Sequence, residues 1–328
     1  MPGAYDIVME QRRALVEKIT AMMRQGEFFN NAAEWDREGL RPHNPLSRAV
    51  YRGGNRLRLM WAVLEKGYAD PRWATLRQYR EKGYYPKKGE HGILCEKWIF
   101  TKEVIRTDEN GRKIRETEEL EHPAVAYFTV FNAGQIQGFP QYRAPEKAQE
   151  TQVTALMDDF MAASECRIRE LAQERAFYSP AMDEIVLPPR EFFKDNTSFA
   201  KTVLHEMAHS TGHPLRLNRD LSGGFGSPEY AREELRAEIG ALFMGADLGL
   251  PLTGEHYEDH SDYLLSWIRA LQEDYNELFR ACADAEKIAA RLEGNYERSR
   301  GCSLMPVIEE IPPAEKRMRQ TEKVSCSL

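Results

Sequence analysis

His205, Glu206 and His209 stand in VLHEMAH, the pattern His-Glu-x-x-His, within a segment whose apolar positions Phe199, Val203 and Met207 recur every four residues. At 3.6 residues per turn the two histidines project from neighbouring positions on one helix face, so two imidazole nitrogens can reach one ion. Glu206 then lies beside the ion without binding it. From there it can take a proton from water that a single Zn2+ has acidified to a pKa of about 7, which is the chemistry of zinc-dependent hydrolysis of a protein or peptide substrate. The pattern also arises by chance, and spacing alone leaves a purely structural helix open.

Such a site needs a third protein ligand. In HEMAHSTGHPLRL, Gly212 occupies the place of the turning glycine of metzincins, but Leu215 stands where their third histidine belongs and His213 comes two residues too early. His213 is therefore a second-best candidate, read as a surface or helix-end histidine. The other donor is a glutamate of the following helix, YAREELRAEIGALFMGADLGL, whose core face is drawn by Ala231, Leu235, Ile239, Leu242, Phe243 and Ala246. On a wheel of about 100° per residue, Glu234 and Glu238 flank one border of that face and Glu233 is directed to solvent. Carboxylates bordering a buried face need a partner. Glu234 is assigned as the third ligand and Glu238 as the acceptor for an imidazole N–H, and the reversed assignment stays open. Tyr178, in AFYSPAMDEIVLP, is a candidate to polarise the scissile carbonyl or line the cleft, its other reading being an ordinary strand aromatic.

The elements that must position these groups follow from the same pattern. Helices are expected at about 151–165, 197–211 and 229–248, with two short strands around a turn in AFYSPAMDEIVLP, where an edge strand could hold an extended peptide by main-chain hydrogen bonds. A single long amphipathic pattern runs from His260 to Leu292, with Tyr263, Leu264, Trp267, Leu271, Tyr275, Leu278 and Phe279 on one face. That face is packing material. In the first half, residues 5–24 have helical spacing, a second helix is expected around 56–65, and 93–100 and 123–131 read as strands joined across the Asn-Gly turn signal of RTDENGRKIRE. Loops are expected in NNAAEW and in the Asn-, Pro- and Gly-rich RPHNPLSRAVYRGGNRL.

Charge divides the chain. Net charge is -7 over 328 residues, yet residues 1–145 hold 24 Lys and Arg against 19 Asp and Glu, and residues 41–90 hold 12 against 4. That basic stretch interleaves arginines and lysines with Tyr51, Trp61, Trp73, Tyr79, Tyr84 and Tyr85, a mixture suited to phosphates and unpaired bases, hence to single-stranded DNA rather than duplex. Arg52, Asn55, Arg56, Trp73, Arg77, Gln78, Lys87 and Lys88 are the candidate contacts, and a charged surface over an aromatic core is the bland alternative. The five cysteines include no CxxC pair and read as free thiols. With no apolar run near the roughly 18 residues of a membrane span and no secretory leader pattern, a cytoplasmic protein is expected.

NPLSRAVYRGGNRL, DPRWATLRQY, KKGEHG and VFNAGQI, followed by YSPAMDEIVLPPREFF, HEMAHSTGHPLRL and YAREELRAEIGALF, resemble the ArdC-type antirestriction proteins of conjugative plasmids and mobile elements. The resemblance covers the chain up to about residue 293. It implies an N-terminal single-stranded-DNA-binding domain fused to a zincin-like, gluzincin-type metallopeptidase domain, with Glu206 as base and His205, His209 and a glutamate of EELRAE as ligands. It also implies a role in protecting incoming DNA in a new host. The expected fold is α+β in two domains: residues 1–145 for DNA binding, 151–294 a mostly helical zincin-like domain with a small sheet, and 295–328 a polar, loosely attached tail.

Overall fold

The computed structural model describes residues 2–25, 41–107, 109, 112–143, 150–250, 261–301 and 311. NNAAEW, residues 144–149 of the polar, proline-containing stretch 138–150 expected to link the domains, and almost all of the chain after Gly301 lie outside the described residues. The described residues form an α+β fold of two domains.

The first domain begins with α1 (Ala4–Arg24) and α2 (Gly53–Lys66), each amphipathic. It continues through β1 (Trp73–Thr75), α3 (Leu76–Glu81) and β2 (Tyr85–Pro86) to the long hairpin β3 (Ile93–Thr107) and β4 (Lys113–Asn132), closing with β5 (Ile136–Gln137). The hairpin joins the two strands predicted around the Asn-Gly signal and extends well past both, with Ile93 opposite Val130 and Thr107 opposite Lys113. The sheet order is β1-β4-β3. Thr75 caps α3: its hydroxyl accepts from the Gln78 N–H while the Gln78 side chain reaches back to the Thr75 backbone.

The second domain holds α4 (Glu150–Ala162), then a three-stranded sheet ordered β6-β8-β7, from β6 (Arg167–Glu170), β7 (Phe177–Ser179) and β8 (Glu184–Leu187). Next come α5 (Asn196–Ser210), α6 (Pro228–Asp247), α7 (Ser261–Glu273) and α8 (Asn276–Arg300). The amphipathic pattern expected as one helix is two, broken at Asp274, whose carboxylate accepts from the Asn276 N–H at the start of α8. Helix α8 also runs past Gly294: Tyr296 is buried and stacks on Phe160 at 4.6 Å, so residues 295–300 belong to the packed helix rather than to a loose tail.

The two domains share one apolar core. Leu57 and Trp73 from the first domain join Phe243, Trp267, Phe279 and Ile288 from the second in a continuous cluster. Gly54 permits the approach of α2 to α8, since a Cβ there would stand 2.3 Å from the Phe279 ring. Buried polar links cross the same boundary. Arg12 of α1 makes two hydrogen bonds to Glu96 of β3 and one to Asn276 of α8, its guanidinium lying over the Trp98 and Phe279 rings.

Candidate metal centre

Helix α5 starts where Asp195 accepts from the Ser198 N–H at 2.7 Å, and α6 starts at Pro228 after Ser227 accepts from the Tyr230 N–H. The apolar positions Phe199, Val203 and Met207 are buried on α5, and α6, with Ala231, Leu235 and Ile239 buried, packs against it. This packing brings the histidines of one helix against the carboxylates of the other.

The Nε2 atoms of His205 and His209 lie 3.1 Å apart. The two Glu234 carboxylate oxygens face them, each 3.4 Å from one Nε2. Two nitrogen lone pairs so close repel unless a proton or a cation lies between them, and a carboxylate beside both supplies the remaining negative donor. His205, His209 and Glu234 thus fit one divalent cation, with candidate ligand atoms all within 4.8 Å of one another.

Each distal ring nitrogen faces a carboxylate. Nδ1 of His205 lies 3.2 Å from Glu238, and Nδ1 of His209 lies 3.2 Å from Glu233. Glu233 corrects the sequence expectation. It is buried rather than directed to solvent, and Arg219, arriving on the loop after α5, donates to both of its oxygens at 2.9 and 2.7 Å. Arg219 also donates to the Thr211 hydroxyl and the Ala208 carbonyl, which ties it to the end of α5. No pattern in the sequence signals this arginine.

The electrostatics agree. Burial alone would lower both imidazoles; for His205 this is outweighed by Glu234, Glu238 and Glu206, and for His209 by Glu234 and Glu233, which leaves His205 well above its ordinary value and His209 at about 9. Burial would raise the Glu234 carboxyl, but the two histidines hold it well below the usual carboxylate range. The cluster thus favours positive charge at the two rings and negative charge at Glu234.

Glu206 is buried beside the ligands, on the wall of a cavity of about 810 Å³ lined also by His205, His209, Glu234, Tyr178 and Tyr230. Phe177 and Phe225, both largely exposed, stand at the same cavity. Tyr178 reaches this wall on β7, but its hydroxyl donates to Asp183 at 2.8 Å, and Asp183 in turn pairs with Arg216. Burial and the neighbouring Asp183 push that phenol up, so it stays a donor. His213 lies outside the cluster, its Nδ1 accepting from the Leu215 N–H, and Leu215 is 86% exposed.

The structure separates the candidate DNA contacts into two groups. Arg52, Arg77, Lys87 and Lys88 are exposed, Arg77 pairing with Glu81 and the Lys87 ammonium donating to the Gly134 carbonyl. Gln78 is half-buried. Asn55, Arg56 and Trp73 face inward. Asn55 exchanges two hydrogen bonds with the Glu96 main chain. Arg56, 1% exposed, makes two hydrogen bonds to Asp247 and one to the Phe243 carbonyl while lying over the Phe243 ring. Trp73 is fully buried, edge-on to Tyr68. These three bind the fold together, and the buried Arg56 and Trp73 have no surface to offer a strand.

Residues 9–131 match the family described as the N-terminal domain of anti-restriction factor ArdC, and residues 155–284 match the zincin-like metallopeptidase family. Two proteins named DNA primase TraC from Escherichia coli are 43% and 41% identical over three quarters of this chain, which spans only 23% and 17% of their lengths. An uncharacterized protein, y4eC, of Sinorhizobium fredii is 34% identical over 76% of this chain and 79% of its own. Crystal structures of the antirestriction ArdC protein from the R388 plasmid, metal-free and Mn(II)-bound, each superpose with a TM-score of 0.67 at 32% identity. They cover 88% and 87% of this chain and 98% and 97% of theirs.

Proposed function

Because this chain belongs to the ArdC family of antirestriction proteins, we propose that it is a zinc-dependent peptidase built onto a single-stranded-DNA-binding domain, and that it acts in the cytoplasm to protect incoming mobile-element DNA. The observation that carries this reading is the convergence of two imidazole Nε2 atoms and the Glu234 carboxylate beside Glu206, in the wall of an open cavity. Among the described residues no helix is long and apolar enough to cross a membrane. The Mn(II)-bound structure of R388 ArdC supports a divalent ion in the family, and a donor set of two imidazoles and one carboxylate suits zinc.

When bound, the ion would supply a Lewis acid able to polarise a carbonyl and acidify water. The rest is done by the chain. His205, His209 and Glu234 would hold the ion, with Glu238 and Glu233 facing the outer nitrogens of the two rings to fix their orientation. Glu206 accepts the proton of the attacking water and passes it to the leaving amine. Strand β7 pairs with β8 on one side only among the described residues, which leaves its other edge for an extended peptide. Tyr178, anchored on Asp183, stands on the cavity wall where the peptide lies.

Glu206→Gln tests the reading. The variant should retain stoichiometric zinc by elemental analysis while cleavage of a quenched-fluorescence peptide library falls about 10²- to 10⁴-fold, the usual worth of a positioned base. If protection of unmodified DNA entering a restricting host survives that substitution unchanged, the peptidase is not what protects, and shielding of the strand by the first domain takes its place.

A further inference from the structure

A second cavity, of about 470 Å³, opens on the first domain between the 44–51 loop, α3 and β4. Its size is within the roughly 300–1,000 Å³ of small-ligand sites. Tyr51 and Phe128 give it aromatic walls, with Ala49 and Val50 beside them. The Tyr51 hydroxyl donates to the Trp73 carbonyl at 3.0 Å, which fixes that ring.

Gln78 supplies a directed polar group. Its Oε1 accepts from the Thr75 N–H, the Thr75 hydroxyl and the Asn44 amide at 2.9 to 3.0 Å. Three donors on one oxygen fix which end of the amide is which, and its Nε2 makes no hydrogen bond among the described residues. That leaves two N–H groups for an acceptor on a ligand. Charged groups stand on the same segments: Arg48 and Arg52 border the Ala49–Tyr51 wall, and Arg77, on the cavity itself with a side chain 88% exposed, pairs at 2.8 Å with Glu81, which also lines it. Arg48 holds a left-handed backbone (φ 61), uncommon for a side chain of its size, with its N–H on the Asn44 carbonyl.

We propose that this cavity is a nucleobase subsite on the path of a single DNA strand. The base packs against Tyr51 and Phe128, its carbonyl or ring nitrogen accepts from Gln78 Nε2, and the neighbouring arginines take the flanking phosphates. The proposal rests on the DNA-binding half of the function above and gives it a location.

Two variants and two strands test it, read by fluorescence anisotropy on the full chain. The probes are a twelve-nucleotide oligothymidine and a strand of equal length in which every base is replaced by an abasic spacer. The wild type should prefer the oligothymidine by about 5- to 150-fold, the range given by stacking one base. Ala49→Trp, filling the cavity from an exposed position, should erase that preference while leaving abasic binding intact, which also reports that it is folded. Gln78→Glu keeps the oxygen that caps α3 but removes the donor, and should cut the preference at least threefold. Wild type that prefers the base-bearing strand and variants that keep the preference would overturn the subsite alone. No binding of either strand by the wild type would overturn the DNA reading itself, and a wild type that binds both strands equally would place DNA contacts on phosphates only. Free thymidine monophosphate that competes as well as the strand would overturn the strand path in favour of a nucleotide site.

Discussion

Arg56→Met removes the cation most deeply set between the two domains, and its consequence separates a structural arginine from a DNA-binding one. In the native chain Asp247, with a side chain 2% exposed, receives two hydrogen bonds from Arg56. Stranding one member of a buried pair costs about 3–5 kcal/mol. Arg41 still faces Asp247 at 3.3 Å and methionine keeps an apolar contact with the Phe243 ring, which places the expected cost at about 3 kcal/mol. At about 2–4 °C per kcal/mol for large domains, the unfolding midpoint should drop by about 6–12 °C. Calorimetry should show one transition, because the core is continuous across the domains. Adding Asp247→Asn should restore part of the loss, since the buried carboxylate stranded by the first substitution is then uncharged. An unchanged midpoint accompanied by weakened binding of single-stranded DNA would refute the placement of Arg56 and return it to the surface.

Glu233→Gln and Arg219→Met both disturb the support of His209, and each should weaken zinc affinity by about 10- to 100-fold in competition with a chromophoric chelator, with the fold retained. Equal affinity in all three proteins would show that the Glu233 contact does not orient the ligand. Burial and the neighbouring Asp247 push the Glu293 carboxyl up to about 7 despite Arg41 and Arg56 nearby. Between its ordinary value of about 4.5 and that value, the folded chain binds a proton that the unfolded chain does not, so stability should fall as pH rises through this window and level off above it. Glu293→Gln should flatten that slope in thermal melts between pH 5 and pH 8, and a slope equal to wild type would contradict the assignment.

The grouping of His205, His209 and Glu234 was legible because one helix period governs both segments that carry them: four residues separate His205 from His209, and the apolar stripe of α6 places Glu234 and Glu238 at its border. Glu233 was misplaced for a physical reason. A helical wheel sees a lone cylinder, and the arginine that makes burial of Glu233 tolerable comes from a loop 14 residues away. Asn55 and Arg56 in the basic first half were misplaced in the same manner. Composition counts cations without their partners, and those of Arg56 and Asn55 lie 191 and 41 residues off. Strand β6, RIRE, carries too much charge to read as a strand, yet it pairs in parallel with β8. The break between α7 and α8 has no glycine or proline to mark it, only the carboxylate of Asp274.

The most direct test of the account is a crystal structure of the zinc-loaded chain, with the ion located by anomalous scattering at the zinc edge. The ion should lie about 2.0–2.2 Å from Nε2 of His205, Nε2 of His209 and a carboxylate oxygen of Glu234, with Glu206 beside it and not bound to it. An ion held by Glu233, Glu238 or His213 in place of Glu234, or one bound directly by Glu206, would contradict it.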